Sequence, residues 1–542
     1  MRARYAAAVA AVLLSSCGSG TVPHDGAPFA PAARADGGPI VWIAPDMVRI
    51  APNAAPSPGP IDLVAARNQV VSLQLAVAAP RSAGLTHVDL SISPFRSAGG
   101  ASTRIESALY REWYVRVTKA SPISGHPRSL GPGLYPDGLI PFVDDATGKP
   151  PRPSRLRAEP ASIAAGTTQP YWIDLRVPRD TIPGTYRATV TLTSSQGSAT
   201  QPVALSVLHV TMPLAPTTDS DFQLQYSRDS AQLASQTELL RNRVQPVPVN
   251  APDERALAHT YGLKMASLAF WGGAYYGHCT LSPPPSVAAI ARAVRAQHVP
   301  TIYDQPADEI GSCKNLKSVM VPLLQHWARN LHANGVLDLV TMAPIPALET
   351  DGTASGRSAV DIWTMLPIEF VHATAQIRNV LAKGDRTWWY TALSQDDFSP
   401  KWEVDVPPGD YRIESLIDEN LNLTGEEYWA VDAWRYVKGG DPWNDIESNQ
   451  GGTLYAGEGI LAYPGTDVGT AGDAPSMRLK WIRDGMYDAD AVSLLKACGL
   501  SAWAHAQTQA IAADFHHWTD DANAIATVSR RLLQRLDASC PN

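Results

Sequence analysis

The fold is decided by the stretch Val299-Pro300-Thr301-Ile302-Tyr303-Asp304-Gln305-Pro306. Its β-branched and aromatic residues are typical of a short buried strand, and the final proline prevents the strand from continuing. The strand therefore ends on a carboxylate followed by an amide. Because active sites of parallel barrels form at the carboxyl ends of their strands, this end predicts a functional position.

Seven further apolar runs lie around this stretch, and segments with helical periodicity separate them. The eight predicted strands are Phe222–Tyr226, Val244–Val249, Lys264–Phe270, Val299–Tyr303, Leu337–Met342, Ala359–Trp363, Thr387–Ala392 and Glu427–Val431. The predicted helices include Ser286–Gln297, Leu316–Ala333, Glu369–Ala382 and Pro475–Ala497. Eight strands alternating with helices predict a (β/α)8 TIM-type barrel over residues 216–500.

The regions on either side of this barrel have different patterns. Residues 39–215 contain several short alternating runs separated by turn signals and no helical pattern, which predicts an all-β sandwich. One such run is Tyr186–Leu192, directly after the turn Pro183-Gly184. Residues 501–542 have the pattern of one or two further helices. We therefore expect a multidomain protein, with extra C-terminal helices after the barrel.

The first residues are typical of an exported lipoprotein. A short basic start precedes Tyr5–Leu14, an apolar run too short to span a bilayer. Leu14-Ser15-Ser16-Cys17 resembles a lipobox, in which the cysteine is lipidated, so residues 1–17 are predicted to be a signal peptide. Gly18 in place of an aspartate favours the outer membrane, and residues 18–38 form a predicted flexible tether. The alternative is a plain signal peptide with an incidental cysteine.

Charge and cysteine content limit the partners and the compartment. The chain carries 44 Lys and Arg against 52 Asp and Glu, with no basic tract, which argues against nucleic-acid binding. Four cysteines remain after Cys17, an even number that predicts disulfides in an exported protein. Three pairings are possible. We favour Cys279–Cys313 and Cys498–Cys540, because each closes a short loop.

The predicted strand ends supply an aromatic and acidic set of candidate site residues. They are Trp271, Tyr303, Asp304, Gln305, Asp361, Trp363, Tyr390, Trp429, Asp432 and Trp434. Seven of the 15 tryptophans lie between Arg386 and Gly485, and such rings can stack on sugars, although any single one is as consistent with the core. No metal-ligand spacing, P-loop or dinucleotide fingerprint follows a strand, so no metal or cofactor is predicted. The set favours a carbohydrate partner.

Several motifs together resemble the catalytic domain of glycoside hydrolase family 123, also known as domain-of-unknown-function family 4091. They are Val360-Asp361-Ile362-Trp363, Trp388-Trp389-Tyr390-Thr391, Tyr428-Trp429-Ala430-Val431-Asp432-Ala433-Trp434, Asp441-Pro442-Trp443, Gly457-Glu458-Gly459, Tyr463-Pro464-Gly465 and Pro475-Ser476-Met477-Arg478. Upstream, Tyr135-Pro136-Asp137-Gly138 resembles the β-sandwich that precedes this barrel in the family.

The resemblance implies a retaining β-N-acetylgalactosaminidase in which the substrate's 2-acetamido group is the nucleophile. The family's Asp orients that group and its Glu is the general acid, and the pair maps onto Asp304 and Gln305. An amide cannot donate the proton, so the acid must come from elsewhere. Glu427, which stands where the family more often has an apolar residue, is one candidate. Asp308 and Glu309 are others, and a solvated charge is the alternative for each.

Three functions are consistent with these patterns. The first is an exported lipoprotein glycoside hydrolase of this type with a relocated acid. The second is a catalytically impaired glycan-binding lipoprotein on the same barrel. The third is a structural lipoprotein of the cell envelope without a sugar ligand.

Overall fold

The computed structural model describes residues 38–57, 61–100, 103–226 and 231–540. The predicted signal peptide, Cys17 and nearly all of the predicted tether lie outside these ranges. Among the described helices, none combines the length and the apolar character needed to cross a membrane.

The N-terminal domain is rich in β-strands, as predicted, and forms two sheets. Its strands are β1 (Ile40–Pro45), β2 (Leu63–Arg67), β3 (Gln69–Ala78), β4 (Leu85–Ile92), β5 (Arg96–Ser97), β6 (Glu106–Val117), β7 (Gly133–Pro141), β8 (Ala161–Ile163), β9 (Thr168–Val177), β10 (Gly184–Ser194) and β11 (Gly197–Thr211). One sheet has the order β1-β3-β9-β6-β7, and the other has β2-β11-β10-β4-β8 with β5 beside β10. Side chains from both sheets share one buried hydrophobic cluster.

The second domain is built on an eight-stranded parallel sheet. Its strands are β12 (Asp219–Gln223), β13 (Pro246–Val247), β14 (Met265–Ser267), β15 (Thr301–Ala307), β16 (Leu337–Thr341), β17 (Ile362–Met365), β18 (Arg386–Tyr390) and β19 (Gly425–Tyr428). The order is β13-β12-β19-β18-β17-β16-β15-β14, so the barrel is closed except between β13 and β14. All eight strands overlap or adjoin the segments predicted from the sequence.

Helices cover the outside of this sheet. They are α1 (Gln232–Arg241), α2 (Ala251–Tyr261), α3 (Val287–Val294), α4 (Val321–His332), α5 (Pro367–His372), α6 (Thr374–Ala382), α7 (Gly409–Leu421) and α8 (Met477–Ala497), followed by α9 (Ser501–Gln509) and α10 (Ala522–Ser539). The regular alternation that we expected is interrupted once. Between β16 and β17, within residues that the structure describes, the only helical element is the short 3₁₀ turn Pro346–Leu348. Prolines and glycines in this connection disfavour a longer helix.

Alternate residues of each barrel strand face opposite sides of the sheet. One face contributes a small buried cluster that fills the interior: Met265, Tyr303, Leu339, Ile362 and Trp388. The other face packs against the helices and belongs to the large core that includes Val340, Trp363, Trp389 and Tyr428. The position of a residue in this alternation therefore decides whether its side chain can reach the mouth of the barrel.

Buried ion pairs hold the two domains together through α8. Arg478 contacts Asp137 at 3.0 Å, and Asp174 contacts Arg483 at 3.0 Å and Lys480 at 3.3 Å. All five side chains are almost inaccessible to solvent. Removal of one partner would leave an uncompensated buried charge and would be strongly destabilising.

Candidate active site

Gln305 and Glu427 meet inside the mouth of the barrel. Both lie on the interior face, at the carboxyl ends of β15 and β19. The Gln305 side-chain nitrogen donates hydrogen bonds to Thr341 Oγ1 at 2.9 Å and to Glu427 Oε1 at 3.2 Å. The amide at the expected acid position is therefore in direct contact with a carboxyl group from another strand.

The environment of Glu427 favours its protonated form. Burial raises the pKa of this carboxyl well above its ordinary value, and the negative charges of Asp221 and Asp308 raise the pKa further. Its second oxygen, Oε2, is buried and has no hydrogen-bond partner among the described residues. A carboxyl group whose pKa is raised by burial and by neighbouring negative charges is suited to act as a general acid.

Two more carboxyl groups follow directly after β15. Burial and the neighbouring Glu309 raise the pKa of Asp308 to about 6, and Asp308 also hydrogen-bonds the side chain of Thr341. Glu309 Oε1 accepts a hydrogen bond of 2.5 Å from the Tyr390 hydroxyl. The backbone of Glu309 has φ of 47°, in the left-handed region that non-glycine residues seldom adopt. Such backbone strain is concentrated at functional sites.

A polar pair, Tyr303 and Asp221, lies on the interior face of the barrel, and Tyr303 is two residues before Gln305 on β15. The Tyr303 hydroxyl donates a hydrogen bond of 2.6 Å to Asp221 Oδ2, and both side chains are buried. Burial raises the pKa of Asp221 to about 6. Tyr303 thus supports the floor of the site and does not lie where it could contact a bound sugar.

The Asp304 side chain does not share the interior face of the barrel with Gln305, although the family resemblance assigns both residues to the active site. The two residues are consecutive on β15, so their side chains point to opposite faces of the sheet. Asp304 Oδ1 accepts a hydrogen bond of 2.9 Å from the Phe270 backbone N–H, and Oδ2 is buried without a hydrogen-bond partner in the described ranges. Burial raises the pKa of Asp304 to about 7. The Asp304 carboxyl thus anchors the connection that follows β14.

Asp361 and Trp363 lie away from the mouth, contrary to the expectation. Asp361 directly precedes β17 and so lies at the opposite end of the sheet, where it contacts His332 and Arg357, each at 2.8 Å. Trp363 faces the helices, is fully buried, and donates to Asp385 Oδ2 at 3.2 Å. The strand begins later than predicted, and this shift moves both residues away from its carboxyl end.

The aromatic residues after β19 form a wall that is partly structural. Trp429 and Trp434 are half-buried, and the Trp434 ring is stacked with Tyr226 at a centroid distance of 6.0 Å. The Asp432 carboxylate is buried and accepts from the backbone N–H groups of Gln225 and Tyr226 at 2.7 and 2.8 Å. Asp432 therefore fixes the connection after β12, and the indole N–H groups of Trp429 and Trp434 donate within the protein, to Glu458 and to the Ala462 carbonyl.

The structure pairs the cysteines as Cys279–Cys313 and Cys498–Cys540. The first bond ties the connection after β14 to the segment that follows Glu309. Within the ranges described, no cluster of three or more His, Cys, Asp or Glu side chains could hold a metal ion.

Asp221 and Thr341 take part in the site and were not among the predicted residues. Both occupy interior positions near the carboxyl ends of their strands. The alternation within the predicted strand Leu337–Met342 could have identified Thr341, which lies two residues after the interior residue Leu339. Asp221 precedes the predicted strand Phe222–Tyr226, so the sequence pattern did not indicate it.

Comparison with known proteins places these observations in a family. The family model for the "Glycoside hydrolase 123 N-terminal domain" matches residues 57–194, and the model for the "Glycoside hydrolase 123, catalytic domain" matches residues 353–495. Together the two matches span more than half of the chain. No curated protein matches the sequence.

Among solved structures, a family 123 glycoside hydrolase from Clostridium perfringens, described in connection with glycolipid glycan hydrolysis, shares the fold. It has a TM-score of 0.61 and 12% identity, over 92% of this chain and 98% of that one. A Parabacteroides merdae β-glucuronidase gives a TM-score of 0.30 and 9% identity, over 77% of this chain and 54% of that one.

Proposed function

The chain belongs to glycoside hydrolase family 123, and from this premise we propose that it hydrolyses the glycosidic bond of a 2-acetamido sugar, with Glu427 as the proton donor. The reaction takes place in the mouth of a (β/α)8-type barrel. The substrate is a glycan of the kind carried by glycolipids, by analogy with the Clostridium perfringens enzyme. The observation that supports this proposal most is the contact between Gln305 and Glu427.

The proposed reaction has two steps and needs no enzyme nucleophile. In the first, the 2-acetamido oxygen of the substrate attacks the anomeric carbon while the bond to the leaving oxygen breaks. Glu427 transfers its proton from Oε2 to that leaving oxygen. In the second, Glu427 takes a proton from water, and the water oxygen opens the cyclic intermediate at the anomeric carbon. The proton on Glu427 is thereby restored.

The Gln305 amide serves as a positioning group in this scheme. It donates to Glu427 Oε1, which leaves Oε2 as the oxygen that carries the proton. It also donates to Thr341, which fixes the orientation of the amide. A glutamate at this position would instead compete with Glu427 for one proton.

We assign to Asp308 the role of accepting a hydrogen bond from the substrate's acetamido N–H. Asp308 hydrogen-bonds Thr341, the same side chain that holds Gln305, and its charge acts on Glu427. Asp304, which the family resemblance favours, faces the other side of the sheet and is fully buried. Both roles of the family's Asp-Glu pair would then be filled from positions close to, but different from, the usual ones.

A direct test compares two neighbouring glutamates. Glu427 faces the interior, whereas Glu426 faces α7 and accepts a hydrogen bond from Ser415 at 3.2 Å. With an aryl 2-acetamido-2-deoxy-β-galactoside as substrate, we expect Glu427→Gln to lower kcat and the matched control Glu426→Gln to leave it within about twofold. General acid catalysis typically contributes about 10²- to 10⁴-fold, most of it with poor leaving groups. Equal activity of both variants would contradict the proposal.

Glycan binding without cleavage is the second candidate function. It is favoured by the position of Asp304, which is buried on the outer face, and by the lack of a carboxyl group at residue 305. This function predicts that wild-type protein binds an N-acetylgalactosamine-terminated oligosaccharide and cleaves no aryl glycoside. Turnover by the wild type that is lost in Glu427→Gln excludes it.

We also propose that the protein is exported and lipid-anchored to the cell envelope through Cys17. The proposal is supported by the sequence Leu14-Ser15-Ser16-Cys17 and by two disulfides, which persist in oxidising compartments. Mass spectrometry of the mature N-terminus from the native host tests it. A diacylglyceryl group on Cys17 is the expected result, and an unmodified cysteine would contradict it.

A further inference from the structure

Strongly exposed aromatic side chains are concentrated in one short segment. In the described part of the chain, the large aromatic residues with high exposure are Trp271, Tyr275 and Tyr276, which are 51%, 51% and 69% exposed. They fall within six consecutive positions of the connection between β14 and α3. Large exposed rings cost stability in water, so a cluster of them marks a binding surface. We call residues Trp271–His278 the aromatic loop.

The aromatic loop is attached to the strand that carries the candidate site. The Gly272 N–H donates to the Pro306 carbonyl at 3.0 Å, and the Asp308 N–H donates to the Ala274 carbonyl at 3.0 Å. A Cβ atom at Gly272 would lie 2.6 Å from the Pro306 oxygen, so only glycine permits this approach. The backbone of the aromatic loop therefore adjoins the strand end that presents Gln305 and Asp308.

The aromatic loop is also rigid. Tyr275 and His278 exchange backbone hydrogen bonds of 3.2 and 2.7 Å, and their rings stack at a centroid distance of 5.2 Å. The Cys279–Cys313 disulfide closes the loop at one end, and at the other end the Asp304 carboxylate accepts a hydrogen bond from the Phe270 N–H. A preformed surface loses little conformational entropy when a ligand binds.

We infer that the aromatic loop binds the sugars beyond the one that is cleaved, so that the preferred substrate is an oligosaccharide or the glycan of a glycoconjugate. This inference rests on the proposed function and extends it to the length of the substrate. Apolar faces of successive sugar rings pack on Trp271, Tyr275 and Tyr276, and the tyrosine hydroxyls hydrogen-bond the sugar hydroxyls. Asp304 then acts as a positioning residue for this surface.

The charge of the region favours a neutral glycan over a membrane surface. The connection from Leu268 to Ser286 contains no Lys or Arg, and Asp308 and Glu309 lie beside it. Basic residues are what attract proteins to anionic lipids. The connection that carries the rings therefore offers no basic side chain of its own to an anionic lipid, although the exposed Lys314 follows Cys313 in the segment linked by the disulfide.

The test compares substrates that share one terminal sugar. The probes are an aryl 2-acetamido-2-deoxy-β-galactoside and a tetrasaccharide that ends in the same sugar. The variants are Trp271→Ala and Tyr276→Ala, with Tyr276→Phe to keep the ring. Ile182→Ala, at a residue that is 76% exposed on the N-terminal domain, is the matched control. Each alanine variant should lower kcat/KM for the tetrasaccharide about 3- to 10-fold, and Tyr276→Ala should leave kcat/KM for the aryl glycoside within twofold.

Calorimetric binding of the tetrasaccharide to the full chain separates this inference from the proposed function. If the wild type cleaves neither probe, the proposed function fails, and weaker tetrasaccharide binding by Trp271→Ala still supports the loop. If the wild type cleaves the aryl glycoside but Trp271→Ala and Tyr276→Ala change neither tetrasaccharide binding nor kcat/KM, the inference is overturned. Loss of binding to phosphatidylglycerol vesicles in the alanine variants, with sugar binding unchanged, would overturn it in favour of a membrane surface.

Discussion

The side-chain amide of Gln305 donates a hydrogen bond of 3.2 Å to the carboxyl group of Glu427, across the mouth of the parallel barrel. Gln305 lies on β15 and Glu427 on β19, and three strands separate β15 from β19 in the order of the sheet. An amide and a carboxyl group from opposite parts of the barrel are thus in direct contact.

Exchanging the two side chains should restore what a single substitution removes. In Gln305→Glu, two carboxyl groups in contact share one proton, so one of them remains an acid at neutral pH. We expect kcat within about tenfold of the wild type. The double variant Gln305→Glu with Glu427→Gln returns the acid to the family's position and should recover most of the activity lost in Glu427→Gln. A single Gln305→Glu variant that exceeds the wild type by more than about 100-fold would show that the native site lacks its acid.

The pH dependence of kcat/KM should be bell-shaped. Asp308, with a pKa of about 6, must be ionised to accept the acetamido N–H, so activity rises with pH up to that value. Glu427 must be protonated, so activity falls as the pH exceeds its raised pKa. Asp308→Asn should remove the acidic limb and Glu427→Gln the alkaline limb. A profile that keeps both limbs in both variants would assign them to other groups.

Stability should decrease between about pH 4.5 and pH 7 because of Glu426. Burial raises the pKa of this carboxyl from 4.5 to about 7, so the folded state keeps a proton that the unfolded state releases. Its contribution is complete below pH 4.5 and is lost as the pH rises through 7. Glu426→Gln should reduce the loss by on the order of 1–3 kcal/mol, measured by urea unfolding. The exposed Glu106→Gln serves as the control, and an identical pH slope in both variants would contradict the assignment.

The two disulfides should differ in their effect on activity. The Cys279–Cys313 bond spans 34 residues and the Cys498–Cys540 bond spans 42, so loss of either should cost about 2–4 kcal/mol of unfolding free energy. Only Cys279→Ser should also lower tetrasaccharide turnover, because this bond closes the aromatic loop. Equal turnover in Cys279→Ser and Cys498→Ser, measured below their melting temperatures, would argue against a role for the loop.

The strands of the barrel could be predicted because each has a continuous apolar run with turn signals around it. The orientation of their side chains was harder to predict. The family resemblance predicts that Asp304 and Gln305 act together in one active site. Consecutive strand residues, however, face opposite sides of the sheet. The apolar run predicts a strand over Ala359–Trp363, but the strand begins only at Ile362, so Asp361 precedes it. Helical packing around the barrel, which the sequence does not show directly, decides where each strand begins.

The aromatic cluster was interpreted correctly only in part. Trp388, Trp389, Trp402 and Trp481 are fully buried, whereas Trp429 and Trp434 remain half-buried near the mouth. Composition alone cannot distinguish these environments, because both burial and sugar binding favour large rings. Tyr275 and Tyr276 lie outside the tryptophan-rich stretch and are not among the site residues that the sequence predicts, whereas their neighbour Trp271 is.

The central claim is that Glu427 supplies the proton, and the most direct measurement is the dependence of kcat/KM on the leaving group. A series of aryl 2-acetamido-2-deoxy-β-galactosides with phenols of increasing pKa should be hydrolysed by the wild type at similar rates. Glu427→Gln should match the wild type within about tenfold for the most acidic phenol and fall about 10²- to 10⁴-fold behind it for the least acidic. A constant ratio between the two proteins across the whole series would contradict this account.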